Sequence, residues 1–114
     1  MRLLITGAKG LLATNIIPVL EEKHSIVPVD IDEWDIRDRE AGRRLMALHQ
    51  PEAVINCAAA TNVDGCETDC DFAEAVNVRG TALVAELARD RAIPLIHIST
   101  DYVFDGTGTT PYSE

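Results

Sequence analysis

Short apolar runs alternate along this chain with stretches whose apolar residues recur at helical spacing. Leu3–Ile5, Ile26–Val29, Ala53–Cys57 and Pro94–Ile98 predict strands, and Trp34–Ile36 predicts a further, very short one. Three helices are predicted between them: Gly10 to about Glu22, Arg39 to about His49, and Asp71 to about Arg91. In the second, Ala41, Leu45 and Leu48 form the apolar stripe and Asp38 is a fitting N-cap. In the third, Phe72, Val76, Leu83 and Leu87 share one face. From Asp105 onward, Gly, Thr and Pro residues predict a loop.

Strand–helix alternation implies parallel strands joined by crossover helices, and the near-continuous apolar strands imply a sheet covered on both faces. With right-handed crossovers the expected fold is α/β: a Rossmann-type doubly wound parallel sheet of about five strands, order 3-2-1-4-5. Two prolines test this. Pro28 lies inside the second strand and requires a poorly paired side. Pro18 lies inside the first helix, where it removes a backbone bond and predicts a kink or an early end.

The length of 114 residues suits one domain, and 46% hydrophobic with 25% charged residues suits a buried core and a wet surface. No stretch approaches the ~18 apolar residues of a membrane span, and Met1–Ile5 is too short an apolar run for a signal peptide. A net charge of −9 argues against a nucleic-acid partner. Three cysteines, Cys57, Cys66 and Cys70, fit a reducing cytoplasm better than a disulfide framework. Cys66 and Cys70 are four apart, but a metal site needs two further ligands, so they are read as ordinary thiols and no metal is expected.

The candidate chemistry begins after the first strand, at Thr6-Gly7-Ala8-Lys9-Gly10-Leu11-Leu12-Ala13. The G-x-x-G-x-x-A spacing places glycine at the sharp turn, glycine where backbone meets a pyrophosphate, and a small residue where helix packs on strand. The helix N-terminus adds unpaired N–H groups and partial positive charge for the phosphates. Lys9 is read as a solvated charge. No Gly-Lys-Ser/Thr follows, which excludes a nucleoside-triphosphate loop. Asp30 follows the second strand, where an acid accepts from adenosine ribose hydroxyls. No Arg or Lys lies between Lys23 and Arg37, so the cofactor reading is NAD(H) or NADP(H) with a weak lean to NADH.

Three further segments carry a resemblance: Asn56-Cys57-Ala58-Ala59-Ala60-Thr61-Asn62-Val63-Asp64, Asn77-Val78-Arg79-Gly80-Thr81, and Ser99-Thr100-Asp101-Tyr102-Val103-Phe104-Asp105-Gly106. Together with the glycine loop they are similar to the extended short-chain dehydrogenase/reductase superfamily, and most resemble its dTDP-4-dehydrorhamnose reductases. The resemblance implies nicotinamide-dependent reduction of the 4-keto group of a dTDP sugar. It places Gly10, Leu11 and Leu12 under the cofactor diphosphate, Asp30 at the ribose and Asp35 with Ile36 at the adenine. Ala58, Ala59 and Ala60 would pass beside the cofactor and Ile98 beside the nicotinamide. Asn77 would brace the active site. Thr100 would donate to the substrate carbonyl, and Asp101 would contact substrate. Tyr102 lacks a lysine four residues on and is expected to be structural.

The sequence departs from the family pattern at Ala13, where a third glycine is usual, and at Leu11, where a polar residue is frequent. The family's Tyr-x-x-x-Lys motif and substrate domain are expected after a segment like Pro111–Glu114. Without them, residues 1–114 are expected to be inactive alone, and to self-associate, lose order after Asp105, or both. Two alternatives stay open. One is a non-catalytic Rossmann module such as the methionine adenosyltransferase regulatory subunit, and the other is a different extended nucleotide-sugar reductase or epimerase.

Overall fold

The computed structural model describes residues 1–113, so Glu114 of the Pro111–Glu114 segment lies outside the described residues. Among the described residues, four strands form one parallel sheet: β1 (Arg2–Thr6), β2 (Ser25–Val29), β3 (Ala53–Asn56) and β4 (Leu95–His97), in the order β2-β1-β3-β4. Helix α1 (Leu11–Glu21) joins β1 to β2, and α2 (Arg39–His49) joins β2 to β3. Between β3 and β4 run α3 (Val63–Thr68), α4 (Cys70–Glu74), a π-helical segment (Ala75–Gly80) and α5 (Thr81–Arg89). A 3₁₀ turn (Asp101–Val103) follows β4.

The strand pleat divides the apolar residues between two cores. Leu3, Ile5, Ala53 and Ile55 face α1 and meet Ala13, Ile16, Ile17 and Leu20. Leu4 and Val54 face the other way and meet Met46 of α2 and Leu83, Val84, Leu87 and Ala88 of α5. Helices on both faces of a parallel sheet make the doubly wound arrangement expected of these alternating runs.

The predicted strand Trp34–Ile36 does not form. The Trp34 amide donates to Asp30 O at 2.8 Å and its indole to Asp38 O at 3.0 Å, so the segment closes on itself as a turn. Its apolar side chains fill the core under α2 and α5 instead of adding a strand. The sheet therefore has four strands rather than five, and β2 is an edge. An edge strand tolerates Pro28, because a missing N–H there can face solvent. Pro18 stays within α1, which ends one turn later at Glu21.

Helix α2 starts at Asp38, whose side chain accepts from the amides of Glu40 and Ala41. Two residues of its predicted stripe, Ala41 and Leu45, pack half-buried against the core, but the fully buried positions are Gly42 and Met46, and Leu48 is 74% exposed. A Cβ on Gly42 would lie 2.6 Å from Leu87 Cδ1 and from Trp34 Cζ2, so this helix approaches α5 on its glycine side. The predicted long helix is likewise interrupted. The π-helical segment inserts an extra residue into the helical repeat, which changes the phase of the stripe. Leu83 and Leu87 remain buried while Phe72, before the π turn, is exposed. Helix α3 has no counterpart in the predicted elements. It is a short turn capped by Asn62, whose Oδ1 accepts from Gly65 N at 3.0 Å.

Candidate functional site

The chain moves from β1 outward to β2 in one direction and through β3 to β4 in the other. The crevice between the carboxyl ends of β1 and β3 is thus a topological switch point, the place where doubly wound sheets bind ligands. Gly7 sits there with φ +65°, a conformation that costs an L side chain free energy. A Cβ on it would lie 2.8 Å from Ala58 N and 2.9 Å from Ala58 Cα and Cys57 C. The loop after β1 and the strand end after β3 therefore meet backbone to backbone, which leaves room only for hydrogen at position 7.

From Gly7 the chain turns into α1. Gly10 N donates to Gly7 O at 2.9 Å, and Ala8 N donates to Val29 O at 3.1 Å. Gly10 is the N-cap residue of α1 and offers no side-chain cap. The N–H groups of the first turn are consequently left open, and they are the electropositive end of an eleven-residue helix. Leu11 is 85% exposed and Leu12 is also exposed, so both line this end from outside the core.

Asp30 is tied to the same loop. Its Oδ2 accepts from Lys9 N at 2.7 Å, and its Oδ1 accepts from Ile31 N at 2.9 Å. The Lys9 amide above all holds the Asp30 carboxyl below its usual range, against the opposing effect of burial and with a smaller contribution from the Ile31 amide. The Lys9 ammonium, read from sequence as solvated, forms an ion pair with Asp32. Asp35 accepts a two-pronged bond from the Arg37 guanidinium, closest at 2.5 Å, which lowers the Asp35 carboxyl. Arg37 in turn lies 5.4 Å above the Phe72 ring. Ile36, expected beside an adenine, is a core residue packed on Gly80, so only its backbone could meet a ligand.

Ala58 is half-buried against the α2–α5 core, Ala59 is exposed, and Ala60 is half-buried. Asn77 holds this run from the π-helical segment. Its Oδ1 accepts from Ala60 N at 2.8 Å, and its Nδ2 donates to Ala60 O at 3.1 Å. The amide thus acts as a one-residue β-bridge, and the π turn sets its aim. Beside Ala60 a groove is lined by Thr61, Asn62, Cys66, Asp69 and Phe72. Burial pushes the Cys57 thiol up, away from reactivity.

Beneath the crevice runs a polar line that the sequence reading did not single out. Thr6, Asn56 and His97 hold matching register positions on β1, β3 and β4. Thr6 Oγ1 donates to Asn56 Oδ1 at 2.5 Å, and Ala58 N donates to the same oxygen at 3.3 Å. The Asn56 amide nitrogen is left facing His97 Nδ1 at 3.2 Å. Thr6 and Asn56 are both buried. The available signal was a polar residue at or beside the end of each of these three apolar runs.

Ile98 lies one residue past β4, exposed, with its amide donating to Asn56 O at 3.2 Å. Thr100 caps the 3₁₀ turn. Its hydroxyl donates to Asp101 Oδ1 at 3.2 Å and accepts from Tyr102 N at 3.3 Å. Thr100 and Asp101 are solvent-exposed neighbours, so the hydroxyl that would meet a carbonyl is held by a local turn. Tyr102, expected to be structural, instead stands in solvent. The structure therefore gathers Gly7, Gly10, Asp30 and Ala58 into one crevice and pairs Asn77 with Ala60. Thr100 and Asp101 hang from the end of the neighbouring strand.

The chain resembles known proteins in sequence and in fold. The chain is 40% identical over 114 residues to a dTDP-4-keto-6-deoxy-D-glucose reductase of Streptomyces niveus, covering 99% of this chain and 40% of that protein. A solved dTDP-4-dehydrorhamnose reductase of Clostridium acetobutylicum superposes with a TM-score of 0.93 at 39% identity, over 98% of this chain and 40% of the other. A second, from Bacillus anthracis and solved in complex with NADP, gives a TM-score of 0.90 at 35% identity, over 95% and 39%. The chain thus spans about 40% of the length of these relatives. The model of one family, described as the RmlD substrate binding domain, matches residues 1–114 throughout, and the chain belongs to that family.

Proposed function

We propose that this chain is the cofactor-binding part of a nicotinamide-dependent reductase acting on the 4-keto group of dTDP-4-dehydrorhamnose, in dTDP-L-rhamnose formation. The observation that carries the reading is the crevice at Gly7. An uncapped helix end opens beside an acidic residue, at a strand junction where a single Cβ would not fit. The residues present fit an extended dinucleotide. The first-turn amides of α1 suit a diphosphate, the Asp30 carboxylate suits ribose hydroxyls, and the backbone of Ala58–Ala60 suits a flat ligand. The relative from Bacillus anthracis, with NADP, supports the same assignment.

When bound, the nicotinamide would supply hydride to a ketone carbon. The roles of the chain's own residues are positional and electrostatic. Asn77 holds Ala60 so that the cofactor side of the crevice keeps its shape. Thr100 is the donor suited to the carbonyl oxygen, where negative charge develops as the carbonyl is reduced, and such donors act on the transition state. To do so its hydroxyl must leave Asp101 Oδ1, a neutral-to-carboxylate bond in solvent that is readily exchanged. Asp101 is then free to accept from a sugar hydroxyl. The free thiols Cys57, Cys66 and Cys70 suit a reducing cytoplasm. No helix among the described residues is long and apolar enough to cross a membrane.

Calorimetric titration with NADH and NADPH tests the assignment. Gly10→Val should abolish binding, because a branched side chain would cover the first-turn amides and a Cβ there already lies 3.0 Å from Gly7 O. Binding by the variant as tight as by the parent would show that the loop is only a turn.

A further inference from the structure

Asn56 closes β3 and is wholly buried, so each end of its amide must be matched inside the protein. Two donors converge on one end: the Thr6 hydroxyl at 2.5 Å and the Ala58 N–H at 3.3 Å. Only an oxygen accepts both, so Oδ1 lies there and Nδ2 points the other way, 3.2 Å from His97 Nδ1. Nδ2 can donate but not accept. The geometry therefore requires a bare lone pair on His97 Nδ1, and hence a neutral ring with its proton on Nε2. His97 is exposed, so that second nitrogen can donate to water.

The competing arrangement is the same amide turned end for end. Amide oxygen and nitrogen are nearly the same size, so partners and not shape choose between the two settings. The Thr6 hydroxyl suits either, because it donates or accepts. The other two partners do not adapt. The Ala58 N–H needs the oxygen. His97 needs the nitrogen while Nδ1 is bare, and the oxygen once Nδ1 carries a proton. A turned amide would set Nδ2 against the Ala58 N–H and leave that donor unmatched. Ala58 N is also the atom nearest to the position a Cβ on Gly7 would take, at 2.8 Å. The setting of Asn56 thus bears on the backbone against which the glycine loop closes. Among the described residues no ion pair includes His97, and the polar side chain that meets it from β3 is Asn56.

We propose that His97 is a positioning residue for the crevice: its bare Nδ1 accepts from Asn56, holds Oδ1 on Thr6 and Ala58 N, and so keeps the Ala58–Ala60 backbone set for a dinucleotide. It acts through Asn56 and not by contact with the ligand. This inference rests on the dinucleotide reading of the Gly7–Ala13 loop and adds what fixes the strand end opposite that loop.

Two variants separate the acceptor from the ring. His97→Asn places an oxygen near the position of Nδ1, and His97→Leu places a methyl there. In the parent at about pH 8, where an imidazole is ordinarily neutral, nitrogen-15 NMR should show Nδ1 without a proton and Nε2 with one. His97→Leu should weaken NADH and NADPH alike, about fivefold, the share of one neutral hydrogen bond, and should speed amide exchange at Ala58. His97→Asn should restore binding to within about twofold of the parent and slow the exchange again. An unchanged Trp34 emission spectrum verifies that the variants are folded, and the tautomer measurement needs no variant at all. A proton on Nδ1, a His97→Leu chain that binds and exchanges like the parent, or a loss that His97→Asn does not rescue each overturns the inference and leaves the dinucleotide reading standing. Failure of the parent to bind either dinucleotide overturns both.

Discussion

Replacing Gly7 by alanine isolates the contact on which the crevice depends. Two costs arise. The first is conformational: at φ +65° an L residue is disfavoured by roughly 1–2 kcal/mol. The second is steric. The new Cβ would lie 2.8–2.9 Å from backbone atoms of Cys57 and Ala58, which cannot rotate away as a side chain would. Forcing extra atoms into a packed site typically costs about 1–3 kcal/mol. The sum, about 2–5 kcal/mol, is a large share of the roughly 5–15 kcal/mol that holds a domain folded. Trp34 is the single tryptophan and is 2% exposed, so its emission reports unfolding of the core directly. With a urea slope of about 1–3 kcal/mol per molar, the midpoint should fall by about 1 M or more, and dinucleotide binding should be lost with it. Gly106→Ala is the control. Gly106 has φ +72°, but a Cβ added to it would meet nothing within 4 Å, so only the conformational cost applies there. A Gly7→Ala midpoint within about 0.2 M of the Gly106→Ala midpoint would refute the steric argument.

Other residues give independent tests. Asp38→Ala removes two hydrogen bonds at the start of α2 and should cost about 0.5–2 kcal/mol by urea denaturation, with no change in nucleotide affinity. Asn77→Ala leaves the Ala60 N–H and C=O without their partner, so it should weaken dinucleotide binding and speed amide exchange at Ala60; unaltered exchange there would remove the clamp from the account. The Asp30 carboxyl titrates below its ordinary value of 3.8 in the folded chain, because the Lys9 amide stabilises its charged form. A depressed folded value means stability that is fully present above about pH 3.8 and is lost as pH falls through the folded value, so Asp30→Asn should flatten the acid limb of a stability–pH curve. The outer edge of β4 leaves Ile96 56% exposed beside unpaired backbone, and concentration-dependent light scattering should rise accordingly; a strictly monomeric solution at high concentration would count against that edge as an association site.

The elements with strong local signals were legible along the chain. β1, β3 and α2 begin and end near the predicted residues, because apolar runs, an Asp cap and a glycine turn are each properties of a few consecutive residues. The glycine loop was legible for the same reason: turn, close approach and helix start fall within Gly7–Ala13. Sequence also bore the family resemblance, since its motifs are contiguous. What it could not determine were features decided by which segments meet. Trp34–Ile36 has the composition of a strand, yet the core beneath α2 and α5 takes its side chains before any edge can pair with it. The buried line of α2 runs through Gly42 and Met46 because Trp34 and Leu87 need the space a missing side chain leaves, a requirement invisible within the helix itself. One extra residue in the π turn decides where Asn77 points, and helical periodicity assumes no such insertion. The ladder from Thr6 through Asn56 to His97 spans 91 residues of sequence, and Lys9 meets Asp30 across 21. Periodicity records which face of its own element a residue occupies, whereas hydrogen bonds and charge act through space, so these partners exist only once the sheet has set the strand ends side by side.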